Sequence, residues 1–296
     1  MEIGVDLGGS HVSAGLIKCN KILYKLEEDL EKGDISDLIV TLIKKLLRLN
    51  NIKEDDISNK IKKIGICLPG TVSNGIIVKS GNLNLKQYNI LEKIKNEFNN
   101  IIIEVKNDAK CAAIAENELG SLRQYKDCLF LNVGTGIGGA AFLNSKLLDP
   151  RKCKGFEFGH MVIQKEGNIC TCGKKGCFET YASIRALKQK VKETLNIKED
   201  ITGVQLKEII ENNQKNVETV LNEYLENLSI GIGNLIDIFE PDVICIGGSF
   251  SYYKELLLEN LIEKLEKGNK TFNEGNLPKI ITAKYINDSG ILGSVL

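Results

Sequence analysis

The sequence has no net charge, no long apolar run and only two histidines, and these absences narrow its possible functions. Its 39 lysines and arginines balance 39 aspartates and glutamates, so no excess of positive charge would attract nucleic acid. No apolar run approaches the roughly 18 residues that a membrane-spanning helix needs, and the N-terminus has no charged-then-apolar signal region. We therefore expect a cytoplasmic protein that binds neither nucleic acid nor membrane.

The length indicates the number of domains, and the cysteine usage indicates the cellular compartment. A chain of 296 residues suggests two domains, each large enough to bury its own core. Cys67, Cys128 and Cys245 lie in apolar, strand-like runs and are interpreted as buried free thiols. Because the nine cysteines show no disulfide-type framework, they fit a reducing cytoplasm.

The residues with the most distinctive chemistry lie at 155–180, where one histidine stands close to three cysteines. Cys170, Cys172 and Cys177 are spaced C-x-C-x4-C, and His160 lies ten positions before the first of them. Three thiolates and one imidazole form a complete tetrahedral set for zinc, and a closed set of four is typical of structural zinc. A chance cluster or disulfide pairing is the alternative, but pairing three close cysteines leaves one over. The spacing therefore predicts structural Zn²⁺.

Three strand-like segments end in glycine-rich turns, which read D-L-G-G-S, N-V-G-T-G-I-G-G and C-I-G-G-S. Such turns let backbone N–H groups approach a phosphate, and Asp6 beside the first turn could hold a hydrated Mg²⁺. An ordinary hairpin turn with a capping aspartate is the alternative there. The second turn is not a dinucleotide fingerprint, because a strand and not a helix follows it. Two such turns facing one another would instead clamp a triphosphate between domains.

A further candidate functional site is the pair Asn107-Asp108, which joins the apolar strand 101–105 to a helix at 108–119. Both residue types are good helix caps, so a purely structural role is possible. Capping and catalysis are compatible, however, since a helix N-terminus also favours an ionised carboxylate.

Hydrophobic periodicity and turn residues predict an alternation of strands and helices. The predicted strands are 2–7, 12–17, 21–28, 62–70, 75–79, 101–105, 128–133, 140–143, 242–246 and 279–284. The predicted helices are 34–50, 86–98, 108–119, 178–194, 203–212, 216–239, 252–267 and 290–296.

Taken together, these motifs resemble the ROK family (repressor, open reading frame, kinase) of sugar kinases, within the actin-like ATPase superfamily. The resemblance covers essentially the whole chain and is most specific in L-N-V-G-T-G-I-G-G and in E-F-G-H followed by C-x-C-G-x-x-G-C-x-E. It implies a two-lobed α/β fold of the ribonuclease H-like type, with the active cleft between the lobes and a structural zinc loop. The small lobe would span 1–106, the large lobe 107–285, and the last helix, 286–296, could cross back to the small lobe.

The resemblance also implies roles for individual residues. Asp108 would be the catalytic base. The sugar ligands would be Gly70, Asn82, Asn107, Asp108, Glu157, His160 and Glu179. The nucleotide would be bound by Asp6, Gly8, Gly9, Ser10, Thr135, Gly136, Gly247 and Gly248. The zinc ligands would be His160, Cys170, Cys172 and Cys177.

The implied activity is phosphorylation of a hexose at its 6-hydroxyl by ATP with Mg²⁺, in a homodimer. Glucose is the first choice of substrate, and N-acetylmannosamine, N-acetylglucosamine and fructose are the alternatives. The first loop reads G-G-S-H where many members have G-G-T-K, so His11 receives no role.

Two other classes of function are less favoured. Family repressors carry a winged helix-turn-helix before the first phosphate loop, whereas five residues precede Asp6 here. A sugar-responsive regulator lacking a DNA-binding domain is therefore the weaker expectation. A zinc-ribbon binding module would leave Asn107-Asp108 and the glycine turns unexplained.

Overall fold

The computed structural model describes residues 1–9, 11–30, 33–81, 83–149, 156–268 and 276–296. Two of the predicted site residues, Ser10 in the first glycine turn and Asn82 among the sugar ligands, lie outside the described residues.

The described residues form alternating strands and helices along the chain. The strands are β1 (Glu2–Leu7), β2 (His11–Lys18), β3 (Lys21–Asp29), β4 (Lys63–Leu68), β5 (Thr71–Ser73), β6 (Ile76–Ser80), β7 (Leu85–Asn89), β8 (Ile102–Asn107), β9 (Cys128–Val133), β10 (Ile137–Leu143), β11 (Lys146–Leu147), β12 (Val243–Gly247) and β13 (Lys279–Thr282). The α-helices are α1 (Ile35–Leu49), α2 (Ile57–Lys60), α3 (Ile90–Glu97), α4 (Asp108–Glu118), α5 (Glu179–Ala182), α6 (Ile184–Thr194), α7 (Gly203–Asn212), α8 (Gln214–Phe239), α9 (Lys254–Gly268) and α10 (Ser289–Val295).

The first compact unit comprises Met1–Arg123, Asp149–Gly155 and Asn287–Leu296, and within its middle segment Asp149 alone is described. Its main sheet has the order β3-β2-β1-β4-β8, in which β1 runs antiparallel to β2 and parallel to β4. A separate antiparallel sheet contains β5, β6 and β7. Fully buried aliphatic side chains of β1, β4 and α1 form the core of this unit.

The second compact unit comprises Gln124–Leu148 and Phe156–Ile286. Its sheet has the order β11-β10-β9-β12-β13, and β9 runs antiparallel to β10 and parallel to β12. Apolar side chains of β9, β12 and α8 form much of the hydrophobic core of this second unit. The strand pattern of the first unit is thus repeated, and the mixed α/β class is confirmed.

Two predicted helices were partly wrong. Residues 85–89 form strand β7, which pairs with β6, and helix α3 begins only at Ile90 after the Asn89 cap. The predicted helix 178–194 is interrupted at Ser183, whose backbone is extended and whose hydroxyl accepts a hydrogen bond from the Ala186 N–H at 3.1 Å. In both places a local cap or a strand partner overrides the apolar periodicity.

The division between the units falls after Arg123, whereas the sequence placed the lobe boundary at 106/107. Helix α4 accounts for the difference, because it packs against α10 within the first unit. Helix α10 also packs on β1 and β4, so the end of the chain belongs to the same unit as its beginning.

The packing of α10 depends on glycines that let backbones approach closely. A Cβ at Gly65 of β4 would lie 2.1 Å from the Ser294 carbonyl oxygen, and one at Gly293 would lie 1.8 Å from the Cys111 carbonyl oxygen. Neither backbone oxygen can rotate away as a side chain would. The Lys106 ammonium donates to the same Ser294 oxygen at 3.1 Å and satisfies one of the last carbonyls of the helix.

We expect Gly293→Ala to destabilise the first unit by about 2–3 kcal/mol, because the added methyl group must displace backbone. The melting temperature should fall by about 5 °C or more. Differential scanning calorimetry would measure it beside Gly33→Ala, a control position where an added Cβ meets nothing within 4 Å. Equal melting temperatures for the two variants would contradict this account of the helix packing.

Among the helices in the described ranges, none is both long enough and apolar enough to cross a membrane.

Candidate functional site

The first candidate group is centred on Asn107 and Asp108, where β8 leads directly into α4. Asn107 caps the helix, its Oδ1 accepting from the Lys110 N–H at 3.1 Å. Its side-chain amide donates to Asp108 Oδ1 at 2.9 Å and to the Gly70 carbonyl at 3.0 Å. The Ala109 N–H also donates to Asp108 Oδ1, at 2.8 Å. The hydrogen bonds from Asn107 and Ala109 therefore both use Oδ1 of the Asp108 carboxylate.

The environment of Asp108 changes its acidity. Burial raises the pKa of its carboxyl from the ordinary value of 3.8 to about 6, and the negative charge of Asp6 adds to the rise. The hydrogen bonds from Ala109 and Asn107 act in the opposite direction. A carboxylate with a pKa near 6 is ionised at neutral pH and is still basic enough to take a proton from a reacting hydroxyl.

Asp6 lies at the end of β1, before the first glycine turn. Its Oδ1 accepts a hydrogen bond from the Cys67 thiol at 3.0 Å, and burial raises the pKa of its carboxyl. The turn is closed by a hydrogen bond from the Gly8 N–H to the His11 carbonyl at 2.9 Å. Asp6, Gly8 and Asp108 are thus held in the same unit, where the charge of one carboxylate affects the other.

The cysteine cluster lies in the second unit, between a short 3-10 helix at Phe158–His160 and α5. One potential ligand atom each from His160, Cys170, Cys172 and Cys177 lies within 4.8 Å of all the others. Cys172 Sγ is 3.5 Å from Cys177 Sγ, and Cys170 Sγ is 3.6 Å from His160 Nδ1. A tetrahedron with zinc–ligand bonds of 2.0–2.3 Å has edges of roughly 3.3–3.8 Å, so these two distances fit zinc and the donor set fits it in chemistry.

Loop backbone brings these ligand atoms together. Val162 pairs with Cys177 in an isolated antiparallel bridge, and the Cys170 N–H donates to the Lys174 carbonyl at 2.8 Å. His160 presents Nδ1 to the cluster, which leaves Nε2 as its second hydrogen-bonding atom.

The two predicted glutamates differ in their surroundings. Glu157 is exposed and immediately precedes the 3-10 helix that carries His160. Glu179 is buried, and its Oε1 lies 3.5 Å from His160 Nδ1. The structure therefore brings His160 and Glu179 into contact and leaves the Glu157 side chain open to solvent.

The second and third glycine turns lie together in the second unit. The Gly134 N–H donates to the Gly136 carbonyl at 2.9 Å and closes a turn in which Thr135 is exposed. Gly247 pairs with Asn132 in the register of β12 and β9, and Gly248 follows with φ of +69°. Because β9 and β12 are parallel, their carboxyl ends place both turns at one edge of the sheet.

Comparison with known proteins identifies the family. The model of the ROK family matches residues 2–296. The chain belongs to the ROK family. This ROK protein is 29% identical to a glucokinase of Thermotoga maritima, over 99% of this chain and 95% of that one. It is 26% identical to a xylose repressor of Caldicellulosiruptor bescii, over 99% of this chain and 76% of that one.

A solved structure gives the same fold. The ROK glucokinase of Streptomyces griseus, determined with glucose and AMPPNP, superposes with a TM-score of 0.84 at 23% identity, covering 99% of this chain and 97% of that one. The predicted family and fold class are therefore confirmed for this ROK protein. The roles of its individual residues and the binding of zinc stay predictions.

One contact in the site escaped the sequence analysis. Cys67 was interpreted only as a buried thiol, yet it donates to the Asp6 carboxylate. The parallel register of β1 and β4 pairs these two residues directly, and such a pairing of distant segments leaves no local pattern in the sequence.

Proposed function

We propose that this ROK protein transfers the γ-phosphoryl group of ATP to the 6-hydroxyl of a hexose, most readily glucose. The observation that carries the proposal is the Asp108 carboxylate, which is held through one oxygen at a helix N-terminus and has its pKa raised to about 6. Phosphoryl transfer needs a positioned nucleophile and charge stabilisation more than covalent catalysis. Asp108 would position the sugar hydroxyl, which is the nucleophile, and accept its proton.

In the proposed reaction, Asp108 Oδ2 accepts the proton of the sugar hydroxyl as its oxygen attacks the γ-phosphorus. A bond forms between that oxygen and phosphorus, and the bond from phosphorus to the bridging oxygen of ADP breaks. Asn107 keeps Asp108 in place, because both hydrogens of its amide are used on Asp108 and Gly70. Asn107 itself would contact the sugar through the second lone pair of its Oδ1.

Sugar hydroxyls would be read by the exposed Glu157 carboxylate, by His160 Nε2 and by Glu179, together with the Gly70 backbone. Carboxylates accept hydrogen bonds from hydroxyl pairs and so distinguish their stereochemistry. Bound zinc would rigidify the loop that orients these side chains.

The phosphates of ATP would contact the three glycine turns, at Gly8 and Gly9, at Thr135 and Gly136, and at Gly247 and Gly248. Their backbone N–H groups can approach oxyanions without interference from side chains. Mg²⁺ accompanying ATP would neutralise phosphate charge, with Asp6 as its protein anchor.

The test is ADP release from Mg·ATP across glucose, N-acetylglucosamine, N-acetylmannosamine, mannose, fructose and allose. The proposal expects one of these sugars to be turned over with the highest kcat/KM, most readily glucose. If an N-acetylhexosamine or fructose is preferred, the kinase stands and only the choice of glucose is wrong. No turnover of any of them by protein shown to contain zinc would reject the hexose kinase.

The relationship to a xylose repressor supports one alternative, a sugar-responsive regulator. Such a protein would bind a sugar, xylose included, without releasing ADP. Isothermal titration with the same sugars and xylose, run beside the kinetic assay, separates the two functions. Light scattering on the same sample would test the proposed homodimer.

The pH dependence of the reaction follows from the acidity of Asp108. Because the base must be ionised and its pKa is about 6, kcat/KM should be half-maximal near pH 6 and fall about tenfold per unit below it. Stopped assays between pH 5 and 8.5 would measure this, with circular dichroism confirming that the protein stays folded. A kcat/KM that stays constant down to pH 5 would contradict the assigned pKa.

A further inference from the structure

Glu179 contacts both the cysteine cluster and the second glycine turn, each through a different carboxylate oxygen. Its Oε1 lies 3.2 Å from Cys170 Sγ and 3.5 Å from His160 Nδ1. Its Oε2 accepts a hydrogen bond from the Ile137 N–H at 3.4 Å. The residue is only 8% exposed, so packing restricts any movement of the carboxylate.

The glycine turn is built around this carboxylate. A Cβ at Gly136 would lie 2.6 Å from Glu179 Oε2, so the missing side chain is what lets the turn pass over the carboxylate. The residues that follow Glu179 in the chain hold the turn at a second point. The Gly134 carbonyl accepts hydrogen bonds from the N–H groups of Ile184 at 2.9 Å and Arg185 at 3.4 Å, where α6 begins.

We propose that Glu179 is a positioning residue for the second glycine turn and that it couples the metal site to nucleotide binding. The proposal rests on the proposed binding of ATP phosphates at this turn. Glu179 would thus have a second role besides that of sugar ligand, and this second role depends on Oε2. Metal binding would remove the Cys170 thiol proton and use the lone pair of His160 Nδ1, so the contacts of Oε1 change. Because the carboxylate is rigid, Oε2 and the Ile137 N–H respond to that change. By linkage, nucleotide bound at the turn must change the affinity for the metal by the same factor.

The first experiment measures ADP binding by isothermal titration in the absence of sugar. Glu179→Ala removes the acceptor of the Ile137 N–H, and ADP affinity should fall about fivefold, the equivalent of one ordinary hydrogen bond. Glu179→Gln retains an oxygen that can accept from Ile137, so ADP affinity should return to within about twofold of wild type. Both variants should bind sugar poorly.

The matched control is Glu157→Gln, which changes a second predicted sugar ligand that lies outside the turn. It should weaken sugar binding and leave ADP affinity within about twofold of wild type. If Glu179 serves only the sugar, Glu179→Ala will behave like this control and the inference is wrong. If the wild-type protein itself binds no ADP, the proposed function fails together with the inference. If wild type binds ADP and Glu179→Ala binds it equally well, only the inference fails.

The second experiment approaches the coupling from the turn and needs no substitution at Glu179. Gly136→Ala places a methyl group against Oε2, and metal transfer to a chromogenic chelator should become about fivefold faster or more. Gly268→Ala adds the same methyl group in the same unit at a position where it meets nothing within 4 Å, and it should transfer metal at the wild-type rate. Saturating ADP should change the rate of metal transfer from wild-type protein. Transfer that is insensitive to both ADP and Gly136→Ala would overturn the coupling.

Discussion

Asp108→Asn is expected to lower kcat by about a thousandfold and to leave the affinities for sugar and ADP within a few-fold of wild type. The side-chain shape and the Oδ1 acceptor for Ala109 and Asn107 are retained, whereas the basic oxygen is lost. General-base catalysis by a positioned carboxylate contributes about 10²–10⁴-fold, which sets the size of the effect. Steady-state kinetics and isothermal titration would measure the two quantities.

The matched control is Asp149→Asn in the same unit. Asp149 is 68% exposed and pairs with Lys110 at the surface, so its loss should leave kcat unchanged. An Asp108→Asn variant that keeps more than a tenth of wild-type kcat would rule out Asp108 as the base.

Asp108→Asn should also be more stable to unfolding than wild type at alkaline pH. The pKa of Asp108 in the folded protein, about 6, lies above its ordinary value of 3.8. The folded state therefore binds the proton more tightly, and the stability that this supplies is complete below about pH 3.8 and is lost as the pH rises through 6. Asparagine has no such loss, so Asp108→Asn should gain up to about 3 kcal/mol over wild type at pH 8.

Urea unfolding at pH 5 and pH 8 would measure this gain. The difference between variant and wild type should be clearly larger at pH 8. An equal difference at the two pH values would show that burial does not raise the pKa of Asp108.

Cys172→Ser is expected to remove the metal and to lower the melting temperature by about 10 °C. Among the cluster cysteines Cys172 is the exposed one, so the substitution removes a ligand with little change in packing. A metal present at about a thousand times its Kd stabilises the folded state by about 4 kcal/mol, which corresponds to a shift of this size. Elemental analysis and calorimetry with and without a chelator would test both parts.

Cys19→Ser is the control, because Cys19 is exposed and lies outside the cluster. It should retain the metal and the wild-type melting temperature. A chelator should destabilise wild type and Cys19→Ser and have no effect on Cys172→Ser. Wild-type protein that is purified without metal and does not respond to the chelator would show that the cluster is not a metal site.

Much of the local geometry of the candidate site could be predicted from the sequence, because its chemical groups lie over short distances in the chain. The C-x-C-x4-C spacing, the glycine turns and the Asn-Asp cap each lie within ten residues of chain. Their conformation depends on local backbone geometry that glycines and capping side chains determine directly. For the same reason, most helices and strands lie close to their predicted positions.

Other features depend on segments that are far apart in the chain. Strand β7 exists because β6 offers it a partner, and α10 joins the first unit because glycines admit its backbone. The acidity of Asp108 comes from burial and from Asp6, about a hundred residues away. Glu179 meets Ile137 only after the chain has returned to the turn. The sequence alone determined which groups are present and how each short motif folds. Only the tertiary structure decided which groups meet and how acidic they become, because burial and pairing between distant segments arise from the packed chain as a whole.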